Sequence, residues 1–192
     1  MGSSAYIVFA GGNKVNARFS TTGFYKELES SLPSGTEAQR RKWAASIIEN
    51  DIPLRELSGL LACEPKVATR FLWLLSDVGI LKPEKLFAEL PYLFDLCCRL
   101  HPAYTTSFAS YWHYVGVPPE NESKAIDLLF QWLLSAETNV TTKSRAVWVL
   151  VKLTKKYPEL RNELKLCLED QMDKYSRDFK KRATKVLAEL DQ

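Results

Sequence analysis

The chain is poor in the residues from which most catalytic and metal chemistry is built. Its 192 residues include two histidines, two methionines and four cysteines. His101 lies four residues after Cys97, so the two share a helix face, but two ligands fall short of a metal site. Cys63 or His113 would have to arrive from elsewhere to complete one, and neither metal nor cofactor is expected. Cys63, Cys97, Cys98 and Cys167 show no C-x-x-C spacing. The adjacent pair falls in a helix-like run, where thiols act as small apolar side chains. No G-x-S-x-G, Walker A or H-E-x-x-H pattern occurs. Asp77, Asp95 and Asp127 stand as single carboxylates without an evident partner for acid–base work. No catalytic residue, and hence no enzyme, is expected.

Long apolar runs are also missing. No stretch approaches the roughly eighteen residues needed to span a bilayer, so no membrane association is expected. Strand-like runs are limited to Tyr6–Ala10, with no second run to pair with it. The segment before that run carries no basic start, so it does not read as a secretory signal. The acceptor patterns Asn121-Glu-Ser123 and Asn139-Val-Thr141 therefore carry no weight, and the expected location is cytoplasmic.

What the chain does have is apolar and aromatic bulk. It is 46% hydrophobic, with five Trp, nine Phe and eight Tyr, which is ample for a core. The net charge of +3 is unevenly placed: residues 141–192 hold 13 Lys and Arg against 8 Asp and Glu, and the remainder holds 13 against 15. An anionic partner would be felt first in the carboxy-terminal third. Residues 1–19 contain no acidic residue and read as an atypical segment, an arm or a non-native extension, ahead of one domain over 20–192.

From Ser20 onward, punctuation and periodicity predict helix after helix, about ten in all. Ser20 or Thr22 caps a helix that Pro33-Ser34-Gly35 stops, and Glu37–Glu49 follows. Pro53 opens a short helix through Leu61, and Pro65 opens another through Val78 with Gly79 as its cap. Pro83 begins a run to Leu100 in which Pro91 marks either a kink or a junction of two helices. Tyr104–Val115, Glu120–Ala136, a helix from Thr141 or Thr142 to Tyr157, Glu159–Tyr175 and Ser176–Leu190 complete the set.

A repeat runs through these helices. Arg145-x-x-Trp148-x-Leu150 has copies in Arg70-x-x-Trp73-x-Leu75, Ala109-x-x-Trp112-x-Tyr114 and Arg182-x-x-Lys185-x-Leu187. Their anchors, 73, 112, 148 and 185, lie 39, 36 and 37 residues apart. A second series, Leu93-Phe94-x-Leu96, Leu129-Phe130-x-Trp132 and Leu166-Cys167-Leu168, recurs at 36 and 37. Two series with one period predict an all-α, right-handed α-α superhelix of stacked helix pairs.

The helix around Lys143–Leu153 shows how such a tread is built. At about 100° per residue, Ala146, Val147, Val149, Leu150, Val151 and Leu153 fill an apolar arc of roughly 200°. Arg145, Lys152, Lys155 and Lys156 occupy the remaining strip, with Trp148 at its edge. On the other copies the strip holds Lys66, Arg70, Trp73 and Asp77, then Trp112, then Arg182, Lys185 and Glu189. In register, these positions make a stripe of aromatics bordered by Arg and Lys, suited to partner binding. The same residues also have a plainer reading, in which the tryptophans are core and the cations a solvated face.

The segments Ala125-Ile-Asp-Leu-Leu-Phe-Gln-Trp132, Arg145-Ala-Val-Trp148, Lys155-Lys-Tyr-Pro-Glu-Leu160 and Phe179-Lys-Lys-Arg182 give the chain a resemblance to HEAT-like, armadillo-type helical repeat proteins over about 20–192. They are particularly similar to small bacterial HEAT-like proteins sometimes labelled adenylosuccinate lyase. The lyase label does not carry over, because the S-S-x-M-P-x-K-x-N type signature is absent and the only methionines are Met1 and Met172. The resemblance implies a scaffold that binds protein through the concave face formed by the second helix of each pair. The chain also resembles HEAT-like alkylpurine DNA glycosylases in helix count, basic groove and aromatic lining. In that alternative Trp112, Trp148 and Arg145 would surround a lesion, but no Asp aligns as the catalytic one. The acid-rich first 140 residues also speak against a duplex-binding stripe.

Overall fold

A computed structural model describes residues 20–190. The atypical segment 1–19 lies outside the described residues. Those described are helical throughout, in eleven α-helices linked by loops and four short 3-10 segments, with no strand among them. They fall into two compact units, one ending at Glu89 and the other beginning at Leu90.

The first unit contains α1 (Thr21–Ser31), α2 (Glu37–Glu49), α3 (Leu54–Leu57), α4 (Pro65–Leu81) and α5 (Pro83–Phe87). Ser20 and Thr36 cap α1 and α2 by accepting from the Gly23 and Gln39 N–H groups, at 3.2 Å each. Such caps satisfy backbone donors that have no partner inside the helix. At Gly35 a Cβ would lie 2.8 Å from the Trp43 ring, so only glycine lets the indole close over the turn after α1. Helix α4 is the centre of the unit and packs against α2 and α5. Its buried side chains Val67, Ala68, Phe71, Leu72, Leu74, Leu75 and Val78 cover more than one face, as expected for an inner helix. Gly79 does not end α4, which continues to Leu81. The stop comes instead from Pro83, whose ring drives Lys82 out of the helical region, to φ −143 and ψ 80.

The second unit contains α6 (Leu90–Leu100), α7 (Phe108–Val115), α8 (Glu122–Leu134), α9 (Val140–Thr154), α10 (Leu160–Gln171) and α11 (Arg177–Leu190). Pro91 falls in the first turn of α6, so the run from Pro83 resolves into two helices rather than one kinked helix. Gly116, at φ 94, ends α7 in a conformation costly for any residue with a Cβ. Helix α9 is the hub, packing against α7, α8, α10 and α11, while α8 also packs against α10. The apolar arc read from its sequence is buried in full, Ala146, Val147, Val149, Leu150, Val151 and Leu153 included. Each fully buried large aliphatic side chain contributes about 1.5–3 kcal/mol. The cap of α9 is Asn139, whose Oδ1 accepts from the Thr142 N–H at 2.9 Å, and neither Thr141 nor Thr142 serves.

Several side-chain links recur at separations of 34 to 37 residues, alongside others such as Trp43 to Glu27 at 16. Arg40 to Asp77 spans 37 residues, Arg55 to Glu89 and Lys85 to Asp51 span 34, Arg145 to Ser110 spans 35, and Lys156 to Glu122 spans 34. Arg40 to Asp77 ties α2 to α4 and Arg145 to Ser110 ties α9 to α7, while Asp51, Glu89 and Lys156 lie in turns beside the helices.

Candidate binding cleft

The expected strip residues meet different fates. In the first unit Trp73 is 45% exposed and lies between two guanidinium groups, with Arg70 at 4.6 Å and Arg40 at 5.8 Å from the ring centroid. Arg40 also donates to the Asp77 carboxylate, tying α2 to α4. Asp77 is thus committed to an ion pair. Lys66 is exposed and has no partner among the described residues.

In the second unit Trp112 departs from the stripe. It is fully buried, its ring centroid 5.4 Å from that of Phe94, 5.6 Å from Phe108 and 6.0 Å from Trp132. These aromatics come from α6, α7 and α8 and enclose the indole, which makes it core. The surface position on α7 is taken instead by Tyr114, two residues on and 40% exposed.

Arg145, Trp148 and Arg182 do come together. They line one cleft of about 390 Å³ between α7, α9 and α11, with His113, Tyr114, Thr141, Ser144, Ser176 and Asp178 around them. Arg145, half-buried, donates to the Ser110 Oγ and, at 3.2 Å, to the Tyr114 hydroxyl, and it stands 5.6 Å from the Tyr114 ring centroid. These partners fix the guanidinium without neutralising it. Arg182 is exposed and has no hydrogen-bond or ion-pair partner among the described residues. Trp148, partly exposed, spans from the cleft to an apolar seam of Val147, Leu168, Phe179, Ala183 and Val186.

Lys152 borders this site, donating to the His113 carbonyl at 3.2 Å. His113 has its pKa lowered by burial first and then by the Lys152 and Arg145 charges, which favours the neutral imidazole in the cleft wall. Beyond the end of α9 the strip is internally neutralised. Lys155 lies 3.9 Å from Glu189, and Lys156 donates to both Glu122 oxygens, at 2.8 and 2.6 Å. Lys185, one turn beyond Arg182 on α11, is exposed and unpartnered among the described residues.

Lys143 was not singled out by sequence. It is fully buried, and its Nζ donates to the carbonyls of Trp132, Leu133 and Ser135 at 3.2, 2.7 and 2.6 Å. A cation there satisfies carbonyls at the negative end of α8 that have no intrahelical donor. Its Nζ also lies 4.6 Å from the Tyr175 ring centroid. Ser110 carries no signal in the sequence, and His113 and Tyr114 stand in the cleft wall rather than in the metal and repeat roles weighed for them.

His101 Nδ1 accepts from the Ala103 N–H at 3.2 Å, and burial pushes the Cys97 thiol up to about 12. Among the described residues no cluster of three or more His, Cys, Asp or Glu could hold a metal, and no helix is long and apolar enough to cross a membrane. Asp95 faces Lys124 at 3.7 Å.

No family model, curated protein or solved structure matches the chain. What stands is its architecture: an all-α, multi-helix arrangement with a polar cleft lined by α7, α9 and α11.

Proposed function

We propose that the protein is a non-enzymatic helical-repeat scaffold of the HEAT-like, armadillo type, a right-handed stack of helix pairs that binds another protein through their second helices. The observation that carries this reading is the cleft that brings Arg145, Trp148 and Arg182 together from α9 and α11. The repeated spacing of the side-chain links, near 35 residues, supports the repeat class. The surface chemistry favours protein over nucleic acid. Lys155 and Lys156 are tied to carboxylates, whereas a duplex-binding face needs a run of free cations along the phosphates. Titration with labelled duplex DNA at low and moderate salt tests the choice. The expected result is weak or no binding, and a tight complex that loosens steeply with salt overturns the scaffold reading in favour of nucleic-acid binding or glycosylase-type activity.

A further inference from the structure

The cleft of the second unit contains an electrostatic imbalance that its own residues leave open. Arg145 is half-buried and held in place, yet its partners are the neutral hydroxyls of Ser110 and Tyr114. A charge withdrawn from water is ordinarily paired with an opposite one. Arg182 faces the same space with no partner among the described residues. Asp178, also in the lining, forms an ion pair with neither of them. The usual alternative of two arginines satisfied by surface carboxylates therefore does not apply. Guanidinium groups offer paired N–H donors matched to a planar carboxylate, and Arg145 is already oriented, so a ligand loses little by ordering it.

We propose that this cleft binds an acidic peptide segment, a glutamate or aspartate carboxylate seating between Arg145 and Arg182 while neighbouring backbone and side chain lie on Trp148. The inference rests on the protein-binding reading above and names the chemistry of the partner. Size supports it: a space of about 390 Å³ admits a side chain or two of an extended segment. A duplex is a poor fit, because Lys155 and Lys156 are already paired along the strip. The serine and threonine hydroxyls of Thr141, Ser144 and Ser176 supply donors and acceptors for the peptide backbone.

The test is fluorescence polarisation of the full chain with three labelled peptides of one length: alternating Glu and Gly, alternating Gln and Gly, and alternating Lys and Gly. The Glu peptide is expected to bind, with affinity falling as salt rises, and the other two to bind at least tenfold more weakly. Arg182→Gln, which removes an exposed side chain without internal partners, is expected to weaken the Glu peptide by about tenfold or more. Lys42→Gln, at an exposed lysine of α2 outside the strip, is the control and should leave binding unchanged, and circular dichroism confirms that both variants are folded. No binding of the Glu peptide, or an unchanged affinity in Arg182→Gln, overturns the proposal. Equal binding of the Gln peptide that is lost in Trp148→Ala overturns the acidic specificity alone and leaves the scaffold reading standing.

Discussion

The Nζ of Lys143 lies 2.6 Å from the carbonyl oxygen of Ser135, the residue that ends α8. The first turn of one helix thereby closes the last turn of the one before it. Replacing Lys143 with Met keeps the buried stem but takes the donor from the buried Trp132 and Leu133 carbonyls, while Ser135 keeps the Thr138 N–H at 3.3 Å. Lys143→Met is expected to lower stability by about 2 kcal/mol or more, because unsatisfied buried groups cost more than the removed bond was worth. Urea unfolding followed by circular dichroism measures it. An unchanged midpoint would mean that water or local relaxation satisfies those carbonyls.

Arg40→Met should be destabilising by about 2 kcal/mol, since it strands the nearly buried Asp77 carboxylate. The double variant Arg40→Met/Asp77→Leu should recover most of the loss, because both charges are then gone. A double-mutant cycle from thermal or urea unfolding isolates the coupling. Additive losses would show that the pair is not coupled.

The Glu122 carboxyl provides a pH-dependent contribution. Burial pushes its pKa up, but hydrogen bonds from Lys156 and Tyr157 outweigh that and hold it below its ordinary value. A carboxylate depressed in the folded state stabilises the fold above its unfolded pKa, and the contribution is lost as pH falls through the folded value. The native chain should therefore melt above Glu122→Gln at neutral pH, with the gap closing as the solution is taken toward about pH 3. A gap that persists or widens in acid would contradict this sign.

Of the site, the sequence made the apolar arc and three cleft residues legible. The arc around Leu150 is encoded in its own helix, so periodicity suffices. Arg145, Trp148 and Arg182 occupy positions of the sequence repeat and line one cleft. What stayed hidden depends on groups from other elements. Lys143 reads as surface because lysine is rarely buried, and the carbonyls that hold it carry no residue-specific signal. Trp112 and Trp148 share a letter and a repeat position, yet Phe94, Phe108 and Trp132 enclose only the first. Helix α4 runs past Gly79 to Leu81 because a glycine is tolerated inside a helix, whereas the proline at position 83 is not.

His113 should report on the cleft. Its pKa is lowered by burial and by the Lys152 and Arg145 charges, so its imidazole is expected to titrate below the free amino acid. Because the folded state resists protonation, the stability this residue contributes is lost as pH falls below the unfolded value. Lys152→Met should raise the His113 pKa, followed by proton NMR with His101→Gln for assignment. A shift downward, or none, would remove Lys152 from the electrostatics of the site.

The account stands or falls on whether the α9–α11 surface engages a protein. The direct measurement is affinity capture from the native host with the wild-type chain and with Arg182→Glu/Lys185→Glu, two exposed side chains without internal partners, followed by mass spectrometry. The predicted result is a defined protein partner recovered by the wild type and lost by the double variant, with unchanged circular dichroism and melting temperature. Equal recovery of that partner by both chains, or recovery of nucleic acid in its place, would contradict the account.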